Sequence, residues 1–293
     1  MPIVSSGQVS LSAIAAEFGG SAPHQLSEYH GKGNAPSSGE IQLAADFYGT
    51  ANTYDIQYLI VAGGGGGAGS ADNADGAGGG GAGGYRALTA TLTAGGSGMT
   101  VTIGAGGSGN GIPWYSGNGA SNGGNSSFNS NSATGGGGGG GKRNGNSGGS
   151  GGGGGHWRNA NTTYSGGSGN SGGYNPAEGA SGSNGYTYGS YHPNYGTIRG
   201  NGGAGGNLGT SDRTWLNGTA YAQGGAVDNG GGGSANTGDG GHSRYQTYGN
   251  GTTGGSGVVI IRYAGSQRGS GGTVTSSGGY TYHQFNSSGT YTP

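Results

Sequence analysis

The residues of this chain that could carry chemistry lie in short polar and aromatic segments between runs of glycine. These segments concentrate Trp, Tyr, His and Arg, and exposed Trp, Tyr and Arg dominate binding hot spots. Aromatic rings near Asn, His and Arg also suit sugars, through stacking and hydrogen bonds. The ten candidate binding residues are Trp114, Tyr115, His156, Trp157, Arg158, Tyr191, His192, Arg213, Trp215 and Tyr245.

A second interpretation is that these aromatic residues pack rather than bind. A glycine run has no side chains of its own, so rings from the neighbouring segments could fill the gaps beside it. The sequence favours neither interpretation over the other, and a single residue can serve both purposes.

Catalysis has little support in the sequence. The six His residues are scattered, without the HxxxH or HExxH spacing of a metal site. The 11 carboxylates are sparse, whereas a glycosidase needs two of them at a fixed separation. Matches to GxGxxG follow from composition alone, because no strand and helix flank them. We therefore expect no enzymatic activity, no metal site and no cofactor.

Composition defines the folding problem. Of 293 residues 85 are Gly and only 28% are apolar, which is too little for an ordinary core of this size. Charged residues make up 7% and the net charge is -1, so the basic footprint of a nucleic-acid-binding protein is missing. Cys is absent, which excludes disulfides and thiolate zinc sites. We also expect no signal peptide and no membrane insertion.

The glycine runs predict an unusual ordered structure. Helix is disfavoured, because Gly costs about 1 kcal/mol per position relative to Ala. Collagen would need strict Gly triplets and much Pro, and the chain has only 7 Pro. The remaining candidate is the extended polyglycine II helix, whose N–H and C=O groups point outward and can bond to adjacent rods. We expect residues 135–141 and 148–155 to be two neighbouring rods, joined by a tight tip at Lys142 and Arg143.

Strand patterns frame the glycine-rich part of the chain. The continuous apolar run at 59–61 predicts a strand that is buried on both faces. Since the first and last of these strands border the glycine region, we expect them to be neighbours in one small sheet. The predicted strands are 54–62, 87–93 and 99–103, the last two joined by a hairpin turn at 95–98, then 257–263, a hairpin formed by 273–275 and 280–285, and a further strand within 286–292.

The N-terminal segment follows a helical pattern. Leu11, Ile14 and Phe18 share one helix face, Ser10 is a candidate N-cap, and a further short turn is expected at Leu26 to Tyr29. The motif SGQVSL recurs as SGEIQL, which indicates a short duplication. Neither half can bury a core alone, so the module is expected to associate or to dock on a partner. A solvated arm is the alternative.

The predicted fold class is mainly irregular and all-β. A small β-sheet frames a lattice of polyglycine II helices, and a short α-helical module precedes it. The expected domains are an attachment or oligomerisation module at 1–53, a glycine-rich domain at 54–264 and a C-terminal β-hairpin tail at 265–293.

Four ordered blocks carry a resemblance to a known family. YLIVAGGGGGAG, GGGGAGGYRALT, MTVTIGAGGSG and GGSGVVIIRY together resemble the glycine-rich domain of bacteriophage tail proteins. SGQVSLSAIAAEFGG and SGEIQLAADFYGT are similar to the N-terminal module of phage tail proteins, and GGYTYHQFNSSGTYT is similar to their C-terminus. The resemblance covers both ends and the framework of the middle, but not the loops between 110 and 250.

The resemblance implies a non-enzymatic virion protein of a phage tail, made in the host cytoplasm. In some phage adhesins, loops on a sandwich of polyglycine helices bind the host surface. The implied partners are a host glycan or outer-membrane protein, further copies in a homo-oligomer with a trimer as one candidate, and other tail proteins through residues 1–53. A purely structural fibre or decoration protein is the alternative, and a surface depolymerase ranks last.

Overall fold

The computed structural model describes residues 3–70, 76–110, 119–157, 162–187, 198–199, 213–227, 230–244 and 249–293. Taken together, these ranges contain more strands than helices, and the helices all precede the first strand. The described strands are β1 Thr53–Val61, β2 Tyr85–Thr93, β3 Met99–Val101, β4 Ser126–Phe128, β5 Asn131–Ala133, β6 His156–Trp157, β7 Thr162–Thr163, β8 Tyr186–Thr187, β9 Ile198–Arg199, β10 Val258–Ala264, β11 Thr273–Ser277, β12 Tyr280–Phe285 and β13 Gly289–Tyr291. None of the helices among the described residues has the length and apolar character to cross a membrane.

The N-terminal segment contains helix α1 (Leu11–Phe18), a 3₁₀ turn at Leu26–Tyr29 and helix α2 (Leu43–Phe47). The Ser10 side chain accepts a hydrogen bond from the Ala13 N–H at 3.2 Å, which satisfies one of the free donors of the first turn. Gly19 ends α1 with a φ of 74°, a left-handed conformation that suits glycine. The predicted helix, its cap and the short turn are confirmed.

The two copies of the duplicated motif pack against each other. A Phe follows each copy within seven residues, and the rings of Phe18 and Phe47 lie 5.9 Å apart. Tyr29 meets Phe47 edge to face at 6.3 Å, and Ile14 is fully buried beside them. The module therefore has a small core to which both halves contribute.

A five-stranded antiparallel sheet lies beside the glycine-rich region. Its strand order is β11-β12-β10-β1-β2. β1 pairs with β10, for example at Leu59 and Ile260, so the first and last strands of the glycine region are neighbours as predicted. The C-terminal hairpin β11–β12 is also confirmed, and β12 joins the same sheet through β10.

The predicted hairpin of residues 87–93 and 99–103 is wrong. β3 pairs with β13 instead, with Met99 opposite Tyr291. Val101 is fully buried in the cluster beneath the sheet, so the chain after β2 passes under the sheet instead of extending its edge. The Gly95 N–H donates to the carbonyl of Pro293 at 2.9 Å, which attaches the turn after β2 to the C-terminal strand.

Both faces of β1 are covered at its C-terminal end. On one face Tyr58 and Ile60 pack in a cluster with Phe128 and Tyr291. On the other face Leu59 packs in a second cluster, with Val61, Trp215, Tyr221 and Ala82 among its members. The continuous apolar run at 59–61 therefore has the two-sided burial that its pattern predicted.

A fully buried histidine connects β12 to its surroundings. His283 Nδ1 donates to the Gly271 carbonyl at 2.8 Å, and Nε2 lies 2.8 Å from the Tyr263 hydroxyl. That hydroxyl already accepts the N–H groups of Arg268 and Gly269, so it donates its own proton to Nε2. Burial lowers the pKa of His283, although the bond to Gly271 acts in the opposite direction.

Candidate functional site at the ends of the glycine rods

Residues 63–68 form the central rod of a glycine lattice. The N–H groups of Gly63 and Gly66 donate to the carbonyls of Gly124 and Ser121 on one neighbouring segment. The period is three, and the neighbouring residue numbers fall as those of the rod rise, so this neighbour is antiparallel. The same pattern joins Gly64 and Gly67 to Gly255 and Thr252, and Gly65 and Ala68 to Gly81 and Gly78.

The carbonyl groups of the central rod meet three further segments. Gly63 and Gly66 accept from the N–H groups of Gly136 and Gly139, which rise together and are therefore parallel. The carbonyls of Gly64 and Gly67 accept from the N–H groups of Gly107 and Asn110. The carbonyls of Gly65 and Ala68 accept from those of Gly241 and Arg244. Every N–H and C=O of the rod thus bonds to one of six surrounding segments. Three residues per turn without internal hydrogen bonds is the polyglycine II geometry, so the predicted lattice is confirmed.

Glycine is required in the central rod because backbones approach closely. None of the glycines from Gly63 to Gly67 has the left-handed φ that favours glycine over other residues. A Cβ on Gly65 would instead overlap the carbonyl of Gly137, and one on Gly66 would overlap that of Ser108. Ala82 is accommodated where its methyl group joins the second apolar cluster of the sheet.

Chain direction gives the lattice two distinct ends. β1 finishes at Val61 and the chain then enters the central rod at Gly63. The antiparallel segments 78–84 and 251–255 run back towards β2 and β10. We call the end beside the sheet the proximal end, and the opposite end, around Ala68, the distal end.

Several segments lie outside the described residues. For most of these segments, the residues on either side are at the distal end. Ser70 forms a bridge with Gly249, and Gly76 forms one with His156. The Asn110 carbonyl accepts the N–H of Gly251 at 2.9 Å. The pairs β6–β7 and β8–β9 and the Val227–Ser243 bridge add further contacts at the same end. The segments whose bordering residues share this end of the lattice are 71–75, 111–118, 158–161, 188–197, 228–229 and 245–248.

The 135–155 stretch differs from its predicted arrangement. The N–H groups of Gly137 and Gly140 donate to the carbonyls of Ser150 and Gly153, so the two runs are neighbours but parallel. A tight tip alone would make them antiparallel. The segment 144–147 returns the chain between them, with the Asn146 N–H donating to the Gly138 carbonyl at 2.9 Å.

An exposed cation lies at the turn before this return segment. Arg143 is exposed, and its Nη2 donates to Asn146 Oδ1 at 2.9 Å. Its carbonyl accepts the Gly155 N–H, next to His156, so Arg143 lies at the distal end. Lys142, the residue before it, is partly exposed. The predicted position of these two residues at a tip of the lattice is confirmed.

Three of the ten candidate binding side chains are described, and all three are buried. Trp215 is 4% exposed and meets Tyr282 edge to face at 6.4 Å, in the second apolar cluster, on the face of the sheet opposite to β3. Arg213 is 8% exposed and donates to the Ala222 carbonyl at 2.9 Å. His156 is 1% exposed, in β6. Trp215 and Arg213 therefore fill space at the proximal end in this conformation.

The other seven candidates have no described side chain. Trp157 belongs to β6 by its backbone. The six that lie outside the described residues are Trp114, Tyr115, Arg158, Tyr191, His192 and Tyr245. Each of these six belongs to a segment whose bordering residues are at the distal end.

Sequence reasoning missed one buried carboxylate. Glu178 is 0% exposed, and its Oε2 accepts the Thr134 N–H at 2.8 Å while Oε1 accepts that of Gly172 at 3.2 Å. Its carboxylate thus accepts hydrogen bonds from backbone N–H groups at the rim of the lattice. No local pattern around Glu178 signals the contact with Thr134, which lies 44 positions away, although Gly172 is only six positions away. The described residues contain no group of three His, Cys, Asp or Glu side chains placed to hold a metal ion.

Comparison with known proteins identifies the class. Residues 44–264 match the family model described as a glycine-rich domain, which is more than half of the chain. The chain therefore belongs to the glycine-rich domain family. No curated protein and no solved structure matches it.

Proposed function

We propose that this chain is a non-enzymatic structural protein of a phage tail, and that its inter-glycine segments contact a receptor on the host surface. The resemblance of its ends and framework to phage tail proteins motivates the virion assignment. The observation that carries the binding role is the shared distal position of the residues that border most of the aromatic segments.

Lattice geometry supports different roles for the rods, as a rigid scaffold, and for the distal segments, as the binding surface. Rod residues cannot vary, because most added side chains would overlap a neighbouring backbone. Most of the Trp, Tyr and His candidates belong instead to the segments whose bordering residues lie at the distal end. A rigid scaffold that presents variable loops on one face is a common arrangement for binding sites. The expected ligand is a glycan or an outer-membrane protein.

The buried candidates support a second role for some aromatic residues. Trp215 and Arg213 pack at the proximal end, which agrees with the interpretation that rings fill gaps beside the rods. If all of the aromatic segments behave in this way, the chain is a purely structural fibre or decoration protein. In either case residues 1–53 are the expected attachment to other tail proteins, because they form a compact module ahead of the lattice.

The test is adsorption of virions carrying variant chains to host cells. We expect alanine at Trp114 and Tyr115, or at Tyr191 and His192, to slow adsorption roughly tenfold or more, as hot-spot losses do. The matched control is Thr275→Ala on the exposed strand β11, which should leave adsorption unchanged. Thermal melts of each variant separate binding losses from unfolding. Unchanged adsorption across all of the distal segments would overturn the receptor-binding role and leave the structural one.

A further inference from the structure

β2 is an edge strand of the five-stranded sheet. Among the described residues it pairs only with β1. At Tyr85 the outer edge is closed, since this N–H donates to the Glu178 carbonyl at 2.8 Å. From Arg86 to Leu92 no described residue outside β1 bonds to the backbone, and the Thr93 carbonyl accepts the N–H of Gly96, at 3.1 Å, in the turn that follows. An open edge of this kind is a template for pairing with another strand.

The open edge lacks the usual protection against pairing. Residues 87–93 contain no charged residue and no Pro, and their register against β1 is continuous, without a bulge. The one charge of β2 is Arg86, whose guanidinium carbon lies 3.8 Å from the centre of the Tyr174 ring. Natural edges that stay free are guarded by charges, Pro or bulges. The absence of all three over this length indicates that β2 accepts a partner strand.

The sequence of the open edge reads the same in both directions. Leu88-Thr89-Ala90-Thr91-Leu92 is a palindrome centred on Ala90. If two copies pair antiparallel about a two-fold axis at Ala90, Leu88 lies opposite Leu92 of the other copy, and Thr89 lies opposite its Thr91. Leu88, Ala90 and Leu92 lie on the face of the sheet that carries the first cluster, with Tyr58 and Phe128. Both threonines are exposed on the opposite face. The faces of the two copies therefore match without a register shift.

A cleft lies where the second strand would run. It has a volume of about 350 Å³ and is lined by β2 from Tyr85 to Leu88 and by Asn175, Pro176 and Ala177. In the two-fold register, the other copy's Thr93 and Ala94 come beside Ala87 and Arg86. The end of the incoming strand thus enters a space that is already open.

We propose that two copies of this chain associate through β2, antiparallel about a two-fold axis at Ala90, so that their sheets become one. This interface is independent of receptor binding at the distal end. It predicts a dimer, whereas the sequence alone left a trimer as a candidate. One strand edge buries less area than an obligate interface, so the dimer should depend on protein concentration.

The experiment uses the absence of natural Cys in the full-length chain. Opposed residues in an antiparallel pair have Cα atoms about 4.5–5.5 Å apart, within disulfide range. Ala90→Cys should therefore form a disulfide-linked dimer under mild oxidation. Ala87→Cys is the control on the same strand, because its symmetry mate lies six positions away, about 20 Å. It should stay monomeric on a denaturing gel.

Sedimentation equilibrium gives the second readout. The wild-type chain should shift from monomer to dimer as concentration rises. Thr89→Lys with Thr91→Lys places like charges opposite each other across the axis and should remove the dimer. Melting temperatures are compared at a concentration where the wild type is monomeric, and there the lysine pair should lower the value by no more than loss of the Thr91 hydrogen bond to Asp55 explains. Thr275→Lys with Ser277→Lys on β11 is the matched control and should still dimerise.

Three results would overturn the proposal. The first is a wild-type monomer at all concentrations together with equal cross-linking of the two cysteine variants. The second is a trimer as the associated species. The third is a dimer that the lysine pair on β2 does not weaken.

Discussion

Gly138→Ala tests the close packing of the glycine rods. Gly138 is buried, its N–H donates to Asn122 Oδ1 at 2.9 Å, and its carbonyl accepts the Asn146 N–H at 2.9 Å. An added Cβ would overlap the Ala120 carbonyl oxygen and lie 2.5 Å from its carbon. The φ of Gly138 is outside the left-handed region, so the substitution probes inter-rod contact and not backbone strain.

The expected loss follows from the bonds that must stretch. Carbon contacts are comfortable at about 3.5 Å, so the rods must separate by roughly 1 Å. That movement weakens the Gly138 bonds and the bond from the Ala120 N–H to the Gly139 carbonyl, now 2.9 Å. Each buried group left without a partner costs about 1–3 kcal/mol. With three bonds affected, we therefore expect a loss of about 3–9 kcal/mol, a large part of the roughly 5–15 kcal/mol that stabilises most folded proteins.

Denaturant unfolding followed by circular dichroism measures this loss. Gly231→Ala is the matched control, because a Cβ there meets nothing within 4 Å and its φ is also outside the left-handed region. The control should stay within about 0.5 kcal/mol of the wild type. Equal unfolding midpoints for the two variants would refute the argument that glycine is required for the approach of the rods.

Two further predictions concern the sheet. Trp215→Ala removes a ring that is 4% exposed and should cost about 3–5 kcal/mol in the same unfolding measurement; a loss under 1 kcal/mol would contradict its packing role. For His283, the lowered pKa of the folded state means that the unfolded chain takes up a proton first as the pH falls. Its contribution is present above pH about 6.5 and is lost as the pH falls towards the lower folded pKa. His283→Gln should therefore flatten the decline in stability between pH 7 and 5, and an unchanged slope would show that other groups cause it.

Local patterns were sufficient for much of the framework. The apolar spacing of α1 with Ser10 before it and Gly19 after it specified that helix, because caps and face periodicity are properties of a few adjacent residues. Glycine runs specified extended rods for a similar reason, since they exclude helix and have no side chains to pack. The pairing of β1 with β10 followed from two buried strands at the borders of one region.

Contacts distant in sequence decided the features that local patterns could not. The partner of β3 is β13, nearly two hundred residues away, because Val101 is buried under the sheet. Whether an aromatic residue is exposed for binding or buried by packing depends on which residues lie over it. Trp215 is buried against the sheet. Glu178 likewise acquires part of its role through Thr134, which lies 44 positions away.

The sequence by itself determined which structural elements this protein contains: glycine rods, a small sheet at their borders and aromatic residues between them. Only the tertiary structure decided how the rods are directed and surrounded. Each rod residue bonds laterally to other segments, and all but one of the six neighbours of residues 63–68 lie about 40 or more positions away, so local pattern does not predict them. That arrangement also separates a proximal end beside the sheet from a distal end. The distal position of the residues that border most aromatic segments is therefore a consequence of tertiary hydrogen bonding.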